Sequence, residues 1–186
     1  MIGIKVKTIL YSESMMYPKL GEIKILEGVF KVSGDEGVMN LCILLGMLAN
    51  QQDTEKIFFN KLVILADKED QATMIPFTYK SSDSLLEAYF SGCFRVIRHF
   101  QINQFKFDSM QAVKIATFLK DNPTLETLHF ADNQLDHRVV TSILKKVYDN
   151  KVLKTINVAS NYIYSDNQEE IMKKFSYHHD KTIIFA

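Results

Sequence analysis

The sequence predicts an α/β protein in which one strand and one helix repeat along the chain and the strands form a parallel sheet. Apolar residues recur with a period of about 28 residues, so that Leu128 and Phe130 correspond to Ile156 and Val158. Within each unit the apolar spacing changes from alternate positions, typical of a half-buried strand, to the i, i+4 spacing of a helix. Neither element could bury its apolar face alone, so each unit has to pack against the next.

The chain is expected to form one structural unit with a small N-terminal addition. Residues 1–26 alternate loosely in hydropathy around Pro18 and Gly21, which predicts two strands that cap the first repeat. Residues 27–186 are then divided into about four to five repeats. These repeats are predicted to start near residues 27, 59, 97, 125 and 153, with a partial repeat at 181.

The first two repeats are degenerate but traceable. A strand containing Phe30 and Val32 precedes a helical stripe over 38–48, and a second strand over 59–64 precedes a helix near 85–89. The step from the second repeat to the third is longer than the period by about ten residues. The extra residues are placed within 67–82, which reads as a surface loop because it contains charged residues, a proline and paired serines.

The last two complete repeats follow the pattern L-x-x-L-x-L-x-x-N-x-L. Asn133 and Asn161 occupy its bend position, and Phe105 replaces the asparagine one repeat earlier. We interpret the bend asparagines as structural, bonding loop backbone groups that no strand partner reaches. Asn122 and Asn150 are expected to end helices in the left-handed conformation.

This pattern resembles the ribonuclease-inhibitor-like class of leucine-rich repeats, whose units of about 28–29 residues pair one strand with one full helix. The class includes repeats of NOD-like receptors, the C-terminal domain of tropomodulin, and proteins that intracellular bacteria such as Legionella deliver into host cells. The resemblance is closest over 97–186 and extends back to 27, but the sequence lacks tryptophan. It implies a right-handed superhelix with the sheet on the concave face, the helices on the convex face, and a protein partner bound on the sheet.

The repeat predicts which side chains point away from the helices and form the binding face. The alternative is a sheet face that is merely solvated. The predicted protein-binding residues are His99, Gln101, Asn103, Thr127, His129, Thr155, Asn157, Ile183 and Phe185.

The C-terminal segment is expected to begin a further strand over 183–186 without a following helix. Such a strand would leave an open edge, which a partner or a second copy of the chain could extend. The alternative is a short stack of repeats.

Composition excludes several classes of partner. Lys and Arg number 22, as do Asp and Glu, so no net charge favours nucleic acid or an anionic membrane. The N-terminal apolar segment is too short for a secretory signal, and the run 41–49 is far shorter than the roughly 20 residues that span a bilayer. Cys42 and Cys93 read as buried free thiols. We therefore expect a cytoplasmic protein, or, for a bacterial effector, delivery to the host cytoplasm without an N-terminal signal.

The motifs that could carry chemistry are weak. The segment 33–37 reads as a strand-to-helix turn because no phosphate-loop lysine follows it. His178, His179 and Asp180 are interpreted as a solvated helix end, so no metal or cofactor is expected. No serine or cysteine stands in a nucleophile motif, and the chain is predicted not to be an enzyme.

Three functions are compatible with these observations. The first is a non-catalytic protein–protein interaction module, which includes a bacterial effector acting on a host protein. The second is an actin-binding repeat domain like that of tropomodulin. The third is an enzyme whose site lies in 67–82, which would require Asp67, Glu69 and Asp70 to cluster in a pocket.

Overall fold

The structure is a computed structural model that describes residues 4–17, 21–50, 56–67, 74–176 and 180–185. Within these ranges the chain forms nine strands and five helices. The strands are β1 Ile4–Tyr17, β2 Gly21–Val32, β3 Lys56–Ala66, β4 Ile75–Phe77, β5 His99–Asn103, β6 Phe105–Phe107, β7 Thr127–His129, β8 Thr155–Asn157 and β9 Thr182–Ile184. The helices are α1 Gly34–Ala49, α2 Tyr79–Phe90, α3 Ser109–Leu119, α4 His137–Val147 and α5 Ser165–Lys174.

Seven of the described strands form one sheet in the order β1-β2-β3-β5-β7-β8-β9. β1 is antiparallel to β2, and every other neighbouring pair in this sheet is parallel. The strands β4 and β6 form a separate parallel pair. The chain is therefore an α/β protein with a mostly parallel sheet.

One apolar layer fills the space between the sheet and the helices. Phe100, Leu128 and Ile156 lie on successive strands with side chains that are fully buried, and they share one cluster with Ile115 and Ile143 of the helices. Alternation along the strands places these residues on the helix side of the sheet.

The residues that precede the helices recur with the same period as the strands. Asp108 precedes α3, and Asp136 precedes α4 at the same position of the next repeat. The Asp108 carboxylate accepts from the N–H groups of Met110 and Gln111 at 2.8 and 3.0 Å. Asp136 accepts in the same way, at 2.9 Å, from the two residues at the corresponding positions of α4. These side chains satisfy N–H groups that the first turn of a helix leaves unpaired.

The predicted cap and the first repeat share a strand. β2 runs without interruption from Gly21 to Val32, so the predicted boundary between residues 26 and 27 falls inside it. β1 pairs with β2 along nearly its whole length, and β2 then pairs with β3. The cap is a hairpin whose second strand is already part of the parallel sheet. Pro18, which the sequence places at the turn, lies outside the described residues.

The segment 67–82 is not simply the surface loop that its composition predicted. Residues 75–77 form β4, and α2 begins at Tyr79. Ser81 and Ser82 are buried in the first turn of α2, where the Ser81 hydroxyl donates to the Asp35 carboxylate and the Ser82 hydroxyl donates to the Tyr79 carbonyl. A serine can be buried in a helix because such hydrogen bonds satisfy its hydroxyl.

The bend asparagines bond backbone groups, as the sequence predicted, and the structure shows that these groups belong mainly to the preceding repeat. The Asn133 side-chain oxygen accepts from the Phe105 N–H at 3.0 Å, and its nitrogen donates to the Ile102 carbonyl at 2.7 Å. One repeat later the Asn161 oxygen accepts from the N–H groups of Asn133 and Leu135, at 3.1 and 2.9 Å. The asparagines thus tie each bend to the one before it.

The residue before each bend position has a left-handed backbone. Gln104, Asp132 and Ser160 occupy this position in successive repeats, and their φ angles are +68°, +54° and +54°. Residues other than glycine rarely adopt this conformation, which here occurs in the bend that follows each of the strands β5, β7 and β8.

Asn122 and Asn150 do not have the left-handed conformation predicted for them. Neither is among the described residues with positive φ. The Asn122 oxygen instead accepts from the N–H groups of Thr124 and Leu125, and its nitrogen donates to the Phe94 carbonyl. The Asn150 nitrogen donates to the Asn122 carbonyl at 3.0 Å. These asparagines hold the turn that leads into each strand through their side chains rather than through φ.

Candidate binding surface

We call the sheet face that points away from the helices the open face. Parallel pairing aligns its side chains in rows that cross the strands. The first row is Glu27, Lys61, His99, Thr127, Thr155 and Thr182, and the second is Val29, Val63, Gln101, His129, Asn157 and Ile184. Neighbouring strands of a sheet lie roughly 4.8 Å apart, so adjacent members of a row are close enough to act together.

Seven of the nine residues predicted for the binding face lie on the open face. All seven are half-buried, and all carry hydroxyl, amide or imidazole groups. They are His99, Gln101, Asn103, Thr127, His129, Thr155 and Asn157.

The prediction that Ile183 and Phe185 lie on the binding face is wrong. β9 pairs with β8 so that Ile183 lies beside Ile156, and both Ile183 and Phe185 pack against the core. The step from Ile156 to its neighbour on β9 is therefore shorter than the repeat period by a single position. Because side chains alternate between the two faces, a shift of one residue exchanges them, and Thr182 and Ile184 occupy the open face instead.

The sequence prediction missed several open-face residues of β2 and β3, among them Glu27, Val29, Lys61 and Val63. The signal was present, since the predicted strand over 59–64 contains the apolar residues Leu62 and Ile64, and alternate side chains of a strand point to opposite faces. Val63 is only 6% exposed, but it does not belong to the core cluster. It is an apolar residue beneath polar neighbours on the open face.

Hydrogen bonds order several of the polar side chains. His99 Nδ1 and Thr127 Oγ1 are 2.8 Å apart. The Asn103 side-chain oxygen accepts from Gln101 Nε2 at 3.0 Å, and the Asn157 oxygen accepts from the Ala159 N–H at 2.9 Å. These contacts restrict the rotamers of the open-face side chains, which lowers the entropy that a partner would have to remove.

A cavity of about 340 Å³ lies on the open face where β2, β3, β5 and β7 meet. We call it the histidine cavity. Within it Lys61 Nζ lies 3.5 Å from Glu27 Oε2. The lining residues are Glu27, Lys61, Val63, His99, Phe100, Gln101, Thr127 and His129.

The pKa of His129 is lowered from its ordinary value by burial, and further by the positive charges of His99 and Lys61. The folded chain therefore binds a proton at this ring less readily than the unfolded chain does. By linkage, the resulting stability is fully present above about pH 6.5, the unfolded value, and is lost as the pH falls through the lower folded value.

We expect His129→Gln to reduce the loss of stability on acidification. The measurement is the free energy of unfolding in urea at pH 7.5 and at pH 5, for the native chain and the variant. The other histidines and the carboxylates are common to both proteins, so the difference between the two pH dependences isolates His129. Identical pH dependence in the two proteins would contradict the assignment.

The other residues considered for chemistry are the possible metal ligands, the two cysteines and the acidic residues of 67–82. No group of three His, Cys, Asp or Glu residues in the described ranges could hold a metal ion. Burial raises the pKa of Cys42 to about 12 and also raises that of Cys93, so both thiols are poor sources of the nucleophilic thiolate. Of the acidic residues in the predicted enzyme site, Glu69 and Asp70 lie outside the described residues, as do His178 and His179.

The chain matches no protein-family model, and no curated protein matches its sequence. None of the helices in the described part of the chain is long and apolar enough to cross a membrane. The class that the fold itself defines is an α/β protein with a mostly parallel sheet whose main strands are added in chain order.

Proposed function

We propose that this chain is a non-catalytic protein–protein interaction module of the leucine-rich-repeat type. In this proposal the strand–helix units form a right-handed solenoid with the sheet on the concave face and the helices on the convex face. The regular spacing of the bend asparagines, left-handed residues and aspartate caps supports it. A stack of repeats presents an extended sheet surface, which such proteins use for binding.

The main support for a protein-binding role is the composition of the open face over β5, β7 and β8. Its two rows there contain three hydroxyl or imidazole groups and three amide or imidazole groups. All six side chains are half-buried rather than covered. A pre-ordered, hydrogen-bonding surface without carboxylate or ammonium groups is suited to a folded protein partner, since it has few charges to desolvate.

The partner is proposed to be a protein in a cytoplasm, and for a bacterial effector it would be a host protein. Neither nucleic acid nor a membrane is proposed, because the chain has no net charge. No cofactor is assigned to the module.

A pull-down from cell lysate, with mass-spectrometric readout, tests the open face. The native chain is compared with a variant carrying His99→Glu, His129→Glu and Asn157→Arg. These changes leave the buried strand residues intact, and we expect the variant to remain folded but lose the partner captured by the native chain. Circular dichroism and the urea midpoint verify the folding of each protein.

The matched control carries the same kinds of charge change on the outer side of the helices. It is Thr117→Glu, Ser142→Arg and Met172→Glu, at positions that are exposed or half-buried on α3, α4 and α5. The control should retain the partner. Loss of the partner in the control and its retention in the open-face variant would place binding on the helices and reject the proposal.

A further inference from the structure

We infer that the histidine cavity binds the carboxylate side chain of an acidic residue in the protein partner. This inference rests on the proposed function, in which the open face is the surface that binds a protein. It adds the chemistry of the group that is recognised and the place on the face where recognition occurs.

Hydrogen-bond donors converge on the cavity from three adjacent strands. Lys61 lies on β3, His99 on β5 and His129 on β7, and all three line the cavity. Thr127 bonds to His99 and holds that ring in place. The His129 ring has no hydrogen-bond partner among the side chains of the described residues. An imidazole without a partner and an ammonium group that line the same cavity are available donors for a carboxylate.

The cavity is large enough to admit a carboxylate side chain, and one of its lining residues, Val63, is apolar. A volume of about 340 Å³ lies at the small end of the ~300–1,000 Å³ range of ligand sites, which is too small for a large ligand. Val63 lies beneath the polar side chains and is almost completely buried. The methylene groups of a glutamate could pack on it while the carboxylate meets the donors.

The charges in the cavity favour an anion near His129. The titratable groups that line the cavity with His129 are Glu27, Lys61 and His99. Glu27 faces Lys61, whereas the charges that act on His129 come from His99 and Lys61 and are both positive. A bound carboxylate would place a negative charge beside His129. It would share Lys61 with Glu27.

This arrangement couples binding to proton uptake. A carboxylate beside His129 stabilises the protonated ring, so the pKa of His129 is higher in the complex than in the free chain. Affinity therefore rises as the pH falls through the pKa of the complex and levels off below the lower pKa of the free chain. The rise cannot exceed about tenfold per pH unit for one proton taken up.

The test is an NMR titration of the imidazole C–H signals in the purified chain with three blocked peptides. They are Gly-Gly-Glu-Gly-Gly and the same peptide with Gln or Lys at the centre, at constant ionic strength and at pH 6 and 7.5. We expect the Glu peptide to shift the His99 and His129 signals and to bind more tightly at pH 6, while the Gln and Lys peptides leave the signals unchanged.

Two substitutions on the rim of the cavity should change the affinity in opposite directions. Lys61→Met removes the ammonium group and should weaken binding of the Glu peptide by up to about fivefold. Glu27→Gln releases Lys61 from its competitor and should strengthen binding by a similar factor. His129→Gln should abolish the pH dependence. Unchanged amide signals of β8 confirm that each variant is folded.

Several outcomes would overturn the inference. They are an equal response to the Gln or Lys peptide, weaker binding in Glu27→Gln, or no shift with any peptide. An equal shift with sodium acetate alone would reassign the cavity to a free small anion. Failure here is separable from failure of the proposed function, because a partner lost by the open-face variant in the pull-down still establishes the face even if no Glu peptide binds.

Discussion

Asn133→Ala is expected to lower the free energy of unfolding by about 3 kcal/mol. Its amide satisfies the buried Phe105 N–H and the Ile102 carbonyl, and the residue itself is completely buried. Alanine removes the acceptor of the Phe105 N–H and the 2.7 Å donor to the Ile102 carbonyl, and an unsatisfied buried group costs about 1–3 kcal/mol. The measurement is equilibrium unfolding in urea, followed by circular dichroism.

Asn40→Ala provides the control for the bend asparagine. Asn40 lies within α1, is half-buried, and has no hydrogen bond from its side chain in the described part of the chain. The same substitution there should change the free energy of unfolding by less than about 0.5 kcal/mol. If Asn133→Ala were as mild as Asn40→Ala, the hydrogen bonds of the bend would not contribute to stability as described.

Phe100→Ala is also expected to be strongly destabilising and to lower the free energy of unfolding by about 3–5 kcal/mol. Its ring lies between the sheet and the helices with no exposed surface, 5.7 Å from the ring of Phe94 between centroids. Truncation removes the buried apolar area and leaves a cavity that a close-packed interior fills only in part. The urea midpoint should fall with little change in the slope of the transition.

Phe90→Ala is chemically the same substitution on the surface. The Phe90 ring is 75% exposed at the end of α2, with an edge contact to Tyr89. The expected loss of unfolding free energy is below about 1 kcal/mol. Comparable effects at Phe90 and Phe100 would mean that the apolar layer between sheet and helices does not dominate the stability of the chain.

The repeat could be predicted from the sequence because it is a local pattern copied at a fixed interval. Alternation at Leu128 and Phe130 identifies a strand and its buried side without knowledge of the neighbouring strand. The same argument placed His99, Thr127 and Thr155 on one face, and the structure aligns them in one row. Where the interval changed, the prediction of the face failed, as at Ile183 and Phe185.

Composition was a weaker guide where tertiary contacts decide the structure. Ser81 and Ser82 read as loop residues, yet the Asp35 carboxylate of the preceding helix accepts from Ser81 and allows it to lie in a buried helical turn. Asn122 and Asn150 were correctly placed at helix ends, but their side-chain nitrogens donate to backbone carbonyls of the preceding unit, one full repeat away. No local propensity contains that information.

The sequence by itself determined the class of the fold, the period, and the seven polar residues of the open face. Period-2 and period-3.6 spacing follow from backbone geometry, which each short segment carries with it. Only the tertiary structure decided that Glu27 and Lys61 join His99 and His129 in one cavity, and that β9 is shifted by one residue. These depend on strand register, and register is set by how whole strands pack together, not by the residues of any one strand.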